Sequence, residues 1–201
     1  SNCCDAVAKR RMTGETPEDY SPRVTVRVDK EHRILSFTDD GVGMTAEEVR
    51  KYINQVAFSG ANDFLEKYKD SGEQIIGHFG LGFYSAFMVS DKVVIDTKSY
   101  TDAPAVRWIS SDGMEYETEE SDRTARGTTI TLTIDEEDKE FLNLWTLRQT
   151  LEKHCAFMPV PIYLSEVQPP KAEEKKAEDG AETKPEEKPA EPEQINDVNP
   201  L

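Results

Sequence analysis

Cysteine is scarce in this sequence: Cys3, Cys4 and Cys155 are all there is, and two of them are adjacent. An odd count at that spacing makes no disulfide framework, and such usage fits a reducing cytoplasm. Neither a CxxC pair nor a Cys/His cluster occurs, which removes the common zinc patterns. No apolar run approaches the roughly 20 residues of a membrane-spanning helix, and the opening residues lack the pattern of a signal peptide. Positive charge is short too: 24 Lys and Arg stand against 40 Asp and Glu, a formal charge of −16. That balance argues against nucleic acid or an anionic membrane as partner of the whole domain. It leaves room for a small anion at one local site. An initiator Met is also missing; the chain starts at Ser1 and reads as a fragment.

What is present changes character after Leu164. From Ser165 onward the chain is built of Glu, Lys, Ala and Pro, with 11 acids against 5 Lys. Such composition cannot bury enough apolar surface to offset ordering entropy. Residues 165–195 are therefore expected to be a disordered charged linker, an acidic solubility tail being the plainer alternative. The apolar ending INDVNPL suggests that residues 196–201 begin a following domain, leaving 1–164 as the folded unit.

Within that unit, helical and strand patterns follow one another. Residues 2–11 suit a helix with cations at its C-terminal end. VTVRV (24–28) and ILSF (34–37) flank a charged turn and read as a hairpin. Thr45 starts a helix expected to reach about Val56, with Glu48 completing a capping box. A helix is expected from Gly82. Strand-like runs follow at 92–100, 105–110, 114–120 and 127–134, with Asp112-Gly113 as a turn. Residues 138–157 read as one or two helices and 160–164 as a closing strand. The fold class expected is α+β: a two-layer sandwich, helices on one face of a largely antiparallel sheet.

Four motifs can carry chemistry. TDDGVGM (38–44) is a strand end with two carboxylates opening into two glycines. A carboxylate there can accept from an amine such as an exocyclic NH2, and the glycines let a ligand approach the backbone. The plain reading is a strand–turn–helix link. GHFGLG (77–82) runs straight into the apolar FYSAFMV. A helix start exposes unpaired N–H groups, and glycines let them face phosphate oxygens. No GK[ST] follows and no βαβ unit surrounds it, so it is neither a P-loop nor a dinucleotide fingerprint. A Gly-rich packing turn is the alternative. RGTTITLTI (126–134) reads by default as a half-buried strand. In SNCCDAVAKR, Asn2 and Asp5 share a helix face. Asn2 can offer an amide oxygen to Mg²⁺ near phosphates, or can simply cap the helix. His32, His78 and His154 form no catalytic arrangement with Ser, Cys or Asp, and Tyr84 and Phe87 read as core.

The order of these motifs (N-x-x-D, D-x-G-x-G, G-x-x-G-x-G-F-Y-S-A-F, G-T-x-I-x-L) resembles the nucleotide-binding domain of the Hsp90 family, in its bacterial high-temperature protein G form. The resemblance runs from Ser1 to about Leu164, and the charged linker matches the family layout. The shorter motifs are shared with type II topoisomerases, MutL mismatch-repair proteins and sensor histidine kinases. GHFGLGFYSAF, VAFSGA and MPVPIYL are more specific, and the acidic charge weighs against a DNA-binding branch.

The resemblance implies a Bergerat-type ATP-binding fold, with ATP or ADP and Mg²⁺ as ligands, and slow ATP hydrolysis driving a cytoplasmic chaperone cycle on client proteins. It implies that Asp39 binds adenine, with Gly43 and Met44 under the base and Thr128 contacting it. Asn2 is implied at phosphate and Mg²⁺, and Asp5 and Lys9 further along that helix. Gly80, Gly82 and Phe83 are implied near phosphate, and residues 57–80 as a mobile lid. The family's general base is a glutamate four residues before the asparagine, upstream of Ser1, so no catalytic residue is assigned. A chain of these residues alone is expected to bind nucleotide without hydrolysing it. Family dimers form through a C-terminal domain, so this piece is expected to be a monomer. Phe58 replaces the usual lid lysine. Asp40 stands where Asn or Thr is common and is expected to weaken ATP binding by repulsion.

Overall fold

Alternating side chains build the sheet. In β1 (Val24–Asp29) the three valines are buried while Thr25 and Arg27 turn to the other face. β1 pairs antiparallel with β2 (Ile34–Asp39), the expected hairpin, and Asp29 accepts the His32 amide across its turn at 3.1 Å. The computed structural model describes residues 1–14, 16, 20–53, 82–113, 115–167 and 192–198. Among these, β3 (Ser90–Lys98), β4 (Val106–Ser110), β5 (Tyr116–Glu120), β6 (Gly127–Ile134), β7 (Ile162–Glu166) and β8 (Glu193–Gln194) complete a sheet ordered β5-β4-β3-β6-β2-β1-β7-β8. All neighbours are antiparallel except β1 and β7, which run parallel.

The inner face of the sheet presents Val24, Val26, Val28, Leu35, Val93, Ile95, Trp108, Leu132, Ile134 and Ile162. Against it pack Cys4 and Val7 of α1 (Asn2–Met12), Val49 of α2 (Ala46–Tyr52) and Leu147 of α3 (Leu144–Cys155). Helices on one face and a mostly antiparallel sheet make the α+β sandwich that the pattern of elements predicts. Burying so many aliphatic side chains, each worth about 1.5–3 kcal/mol, is the main stabilising term.

Local chemistry sets the element ends. Thr45 and Glu48 form the expected capping box on α2, each side chain bonded to the other's backbone N–H. The described part of that helix ends at Tyr52; residues 54–81, with the expected lid, Phe58 and His78, lie outside the described residues. Residues 138–157 hold two helical pieces, a 3-10 turn (Lys139–Leu142) and α3. Asn143 separates them, its side-chain oxygen accepting the Trp145 and Thr146 amides at 3.0 and 3.1 Å.

Three expectations need correcting. The run from Gly82 is a seven-residue 3-10 helix (Gly82–Met88) and not an α-helix. Hydrogen bonds close at short range there: Val89 N–H reaches Ala86 O, and Ser85 Oγ reaches Gly82 O at 2.6 Å. Phe83 and Phe87 pack edge-on to the buried Trp108 ring, at 5.7 and 6.4 Å, which anchors the run. The closing strand begins and ends two residues later than expected and runs through Glu166. Finally, Glu193–Gln194, within the expected linker, pairs with Tyr163 and Leu164 of β7. Asn196, where a following domain was expected to begin, is buried in this one. Its carboxamide accepts from Ile162 N–H at 2.7 Å and donates to Met158 O and Val160 O at 2.9 Å each. Three bonds to one buried side chain hold that segment here. Residues 168–191 and 199–201 lie outside the described residues.

Candidate functional site

Three central strands bring polar residues side by side on the helix-covered face. Asp39 of β2 is in direct register with Thr128 of β6, and Thr128 with Thr97 of β3. Their exposures are 4, 6 and 0%, so a carboxyl and two hydroxyls interrupt an apolar layer. The Asp39 carboxyl accepts Gly41 N–H at 2.9 Å. The Thr128 amide and the Cys3 thiol also donate to it. Burial nevertheless raises its pKa from 3.8 to about 7, because those donors only partly replace water. The same burial, with Asp39 beside it, holds the Cys3 thiol well above its usual range.

Behind Asp39 the hydroxyls form a knot. Thr97 Oγ1 lies 3.0 Å from Thr128 Oγ1 and accepts Met44 N–H at 2.9 Å. The turn after β2 is threaded between α1 and β3: Val42 N–H bonds Ala6 O at 3.0 Å, and Tyr100 N–H bonds Val42 O at 2.7 Å. Gly43 has φ +62°, and a Cβ there would be driven into the Lys98 carbonyl. Gly127, at φ +110°, backs onto the Asp39 carbonyl in the same way. These two glycines are thus required by backbone approach, whatever else they do.

The expected site residues of α1 are close by. Ser1 is the N-cap and makes no side-chain cap bond, so Asn2 is the first helical residue, with an exposed side chain. Asp5 is buried. Lys9 is half-buried, and burial lowers its pKa against the pull of Asp5 and Glu48. Asp40 is not left facing Asp39 alone: its carboxylate accepts from Tyr20 Oη at 3.3 Å and Arg23 N–H at 3.2 Å. The Arg10 guanidinium donates to the Asp40 carbonyl and lies 4.6 Å from the Tyr20 ring. Gly82 is exposed, Phe83 packs into the core beside Trp108, and Gly80 lies outside the described residues.

The structure therefore gathers Asp39, Thr128, Gly43, Met44 and α1 into one place. It adds Thr97 and Cys3, which the motifs do not single out. The signal for Thr97 is its phase: in Val93-x-Ile95-x-Thr97 a polar residue takes an inward position of the strand. A carboxyl and a hydroxyl in register, backed by glycine turns, can read the polar edge of a planar ligand. Among the described residues no cluster of three or more His, Cys, Asp or Glu is arranged to hold a metal, and no helix is long and apolar enough to cross a membrane.

Residues 1–125 match the family of histidine kinase-, DNA gyrase B- and HSP90-like ATPases. The chain belongs to that family. An ATPase domain of this kind binds nucleotide. Within the family the sequence sides with bacterial Hsp90 proteins. It is 50% identical over 165 residues to the chaperone protein HtpG of Bacteroides thetaiotaomicron, covering 81% of this chain and 24% of that one. It is 49% identical over 176 residues to HtpG of Porphyromonas gingivalis (84% and 25%), and 36% over 211 residues to HtpG of Sulfurimonas denitrificans (100% and 33%). The chain thus spans a quarter to a third of the length of these relatives.

Proposed function

We propose that this chain is the ATP-binding domain of a bacterial Hsp90-type chaperone whose complete protein hydrolyses ATP while acting on client proteins. The observation that carries the reading is the buried Asp39 carboxyl, in register with Thr128, in a chain half identical to an HtpG protein. A carboxylate with no water to compete for it makes a strong, charge-assisted bond to an exocyclic amine. Asp39 accepts from adenine, Thr128 contacts the base edge, and Gly43 and Met44 line the turn beneath it. Asn2, Asp5 and Lys9 serve the phosphate side from α1. Gly80, Gly82, Phe83 and the lid over residues 57–80 enter through the family resemblance alone.

Asn2 offers one exposed, hard oxygen donor, and Mg²⁺ keeps most of its ligands from water and phosphate, so a single side chain of this type suits it. Bound there, the ion would offset phosphate charge. The longer protein is proposed to be cytoplasmic, with dimerisation through a region beyond this chain.

Titration calorimetry with Mg-ATP and with ADP on the full-length chain tests the reading. Expected is saturable binding that Asp39→Asn weakens by about 10- to 100-fold, the loss of one charge-assisted bond. Absence of binding up to millimolar nucleotide, with the fold intact by circular dichroism, would sink it. Phosphate release measured on the same protein separates hydrolysis from binding alone.

A further inference from the structure

We propose that the outer face of the sheet, over β1, β2 and β6, docks an extended acidic peptide segment of a partner protein. The proposal stands apart from the nucleotide site, which lies on the opposite face.

α1, α2 and α3 all pack on the inner face, so no helix among the described residues covers the outer one. A groove of about 520 Å³ lies there, lined by Arg23, Arg27, Arg123 and Arg126 and by hydroxyls that include Thr25 and Thr131. Strand alternation puts Arg23, Thr25 and Arg27 on one side of β1. Arg27 is in register with Ser36 and, through it, with Thr131. The acids of the groove are already engaged. Asp39 turns its carboxyl inward, and Asp40 accepts from Tyr20 Oη and Arg23 N–H. Most of the guanidinium groups are not. Elsewhere Arg33, Arg107 and Arg148 hold carboxylates at 3.2, 2.8 and 2.7 Å. The side chains of Arg23 and Arg27 hold none among the described residues, and Arg126 meets only the exposed Asp102, at 3.9 Å. Arg123 serves the fold, donating to Thr129 Oγ1 and Ala125 O. Three guanidinium groups without a close carboxylate thus share one groove, in a chain of net charge −16.

A guanidinium fork binds a carboxylate through two parallel N–H bonds. An extended peptide sets alternate side chains on one side, about 7 Å apart, and neighbouring strands lie about 5 Å apart. Long arginine side chains therefore reach successive carboxylates of such a peptide, and the Thr25 and Thr131 hydroxyls can donate to them as well. The net charge of the chain repels an anion at long range. Salt confines that repulsion to about 10 Å, and inside the groove the nearest open charges are positive. Nucleic acid fits less well, because no aromatic side chain among the described residues lines the groove for bases to stack on.

Fluorescence anisotropy tests the proposal with the full-length protein and a labelled peptide of alternating Glu and Ala, about twelve residues long. Expected is saturable binding, with a dissociation constant of about 100 µM in about 50 mM salt, rising several-fold in about 300 mM salt. Arg27→Glu and Arg23→Glu are each expected to weaken it about fivefold, because an exposed pair is worth little alone but reversal adds repulsion. Both side chains are exposed, so circular dichroism melts should match the parent. Lys153→Glu makes the same change of charge on α3, away from the groove, and should leave binding within about twofold. No binding at about 500 µM protein overturns the proposal, as does equal weakening by Arg27→Glu and Lys153→Glu. Equal binding of a dT oligonucleotide of the same charge also overturns it, by making the groove a general polyanion site. So does binding that appears only when the acid-rich residues 168–191 are replaced by Gly and Ser, which would give the groove to this chain's own stretch.

Discussion

The strands that carry Asp39, Thr128 and Thr97 on the inner face of the sheet carry Thr38, Thr129 and Asp96 one residue along, on the outer face. The composition is the same: one aspartate and two threonines in register. Even the hydroxyl pairs match, with Thr97–Thr128 and Thr38–Thr129 both at 3.0 Å. On the outer face, however, Asp96 meets Arg107 Nε at 2.8 Å and Ser121 Oγ at 2.7 Å, and Thr129 meets Arg123 Nη1 at 2.6 Å. There the polar row is tied to guanidinium groups at the surface. On the inner face Asp39 is bonded to backbone amides and a thiol, and burial keeps its pKa high. The contrast teaches that residue type did not make the site; exclusion of water did, because it strengthens each remaining bond a ligand can offer.

The sharpest way to break the comparison is to replace each aspartate by asparagine. Asp39 has a folded pKa of about 7 against 3.8 unfolded, so its neutral form stabilises the fold fully below pH 4. That contribution is lost as pH rises through 7, up to about 4 kcal/mol. Asp39→Asn is therefore expected to be more stable than the parent at pH 8, with the difference shrinking toward zero near pH 4, in urea melts at the two pH values. The same variant should lose nucleotide affinity. Asp96→Asn should do the reverse: about 1 kcal/mol less stable, with affinity unchanged.

Backbone approach gives the next largest effect. Gly127→Ala is expected to lower stability by about 3 kcal/mol or more, since it combines positive φ with a collision against the Asp39 carbonyl. Gly82→Ala, whose added Cβ meets nothing within 4 Å among the described residues and which has no positive φ, should stay within about 0.5 kcal/mol in the same melts.

The smallest expected difference lies between the two hydroxyl rows. Thr128→Val should weaken ADP binding about tenfold by calorimetry, whereas Thr129→Val should leave it unaltered. Equal effects would mean that the two faces are not distinct in function.

Much of this was legible along the chain. Alternation assigns Val24, Val26 and Val28 to the core and predicts the hairpin to β2. Thr45 and Glu48 announce the start of α2, and motif order marks Asp39, Gly43 and Thr128. Thr97 and Cys3 were not legible as site residues, because β3, β6 and β2 become neighbours through non-consecutive pairing and α1 closes over them from the far end of the sequence. Asn196 was hidden for a similar reason. Its local composition is that of a boundary, and only the Ile162 amide and two carbonyls across the fold make it a buried residue.

The sequence by itself determined the class of fold, the family and the chemical types at the site, since periodicity, capping and turn residues act over a few positions. Only the tertiary structure decided which of two equivalent Asp/Thr rows is buried and which hydroxyl stands behind Thr128. Both depend on the helices covering a single face of the sheet, and therefore on where water is excluded.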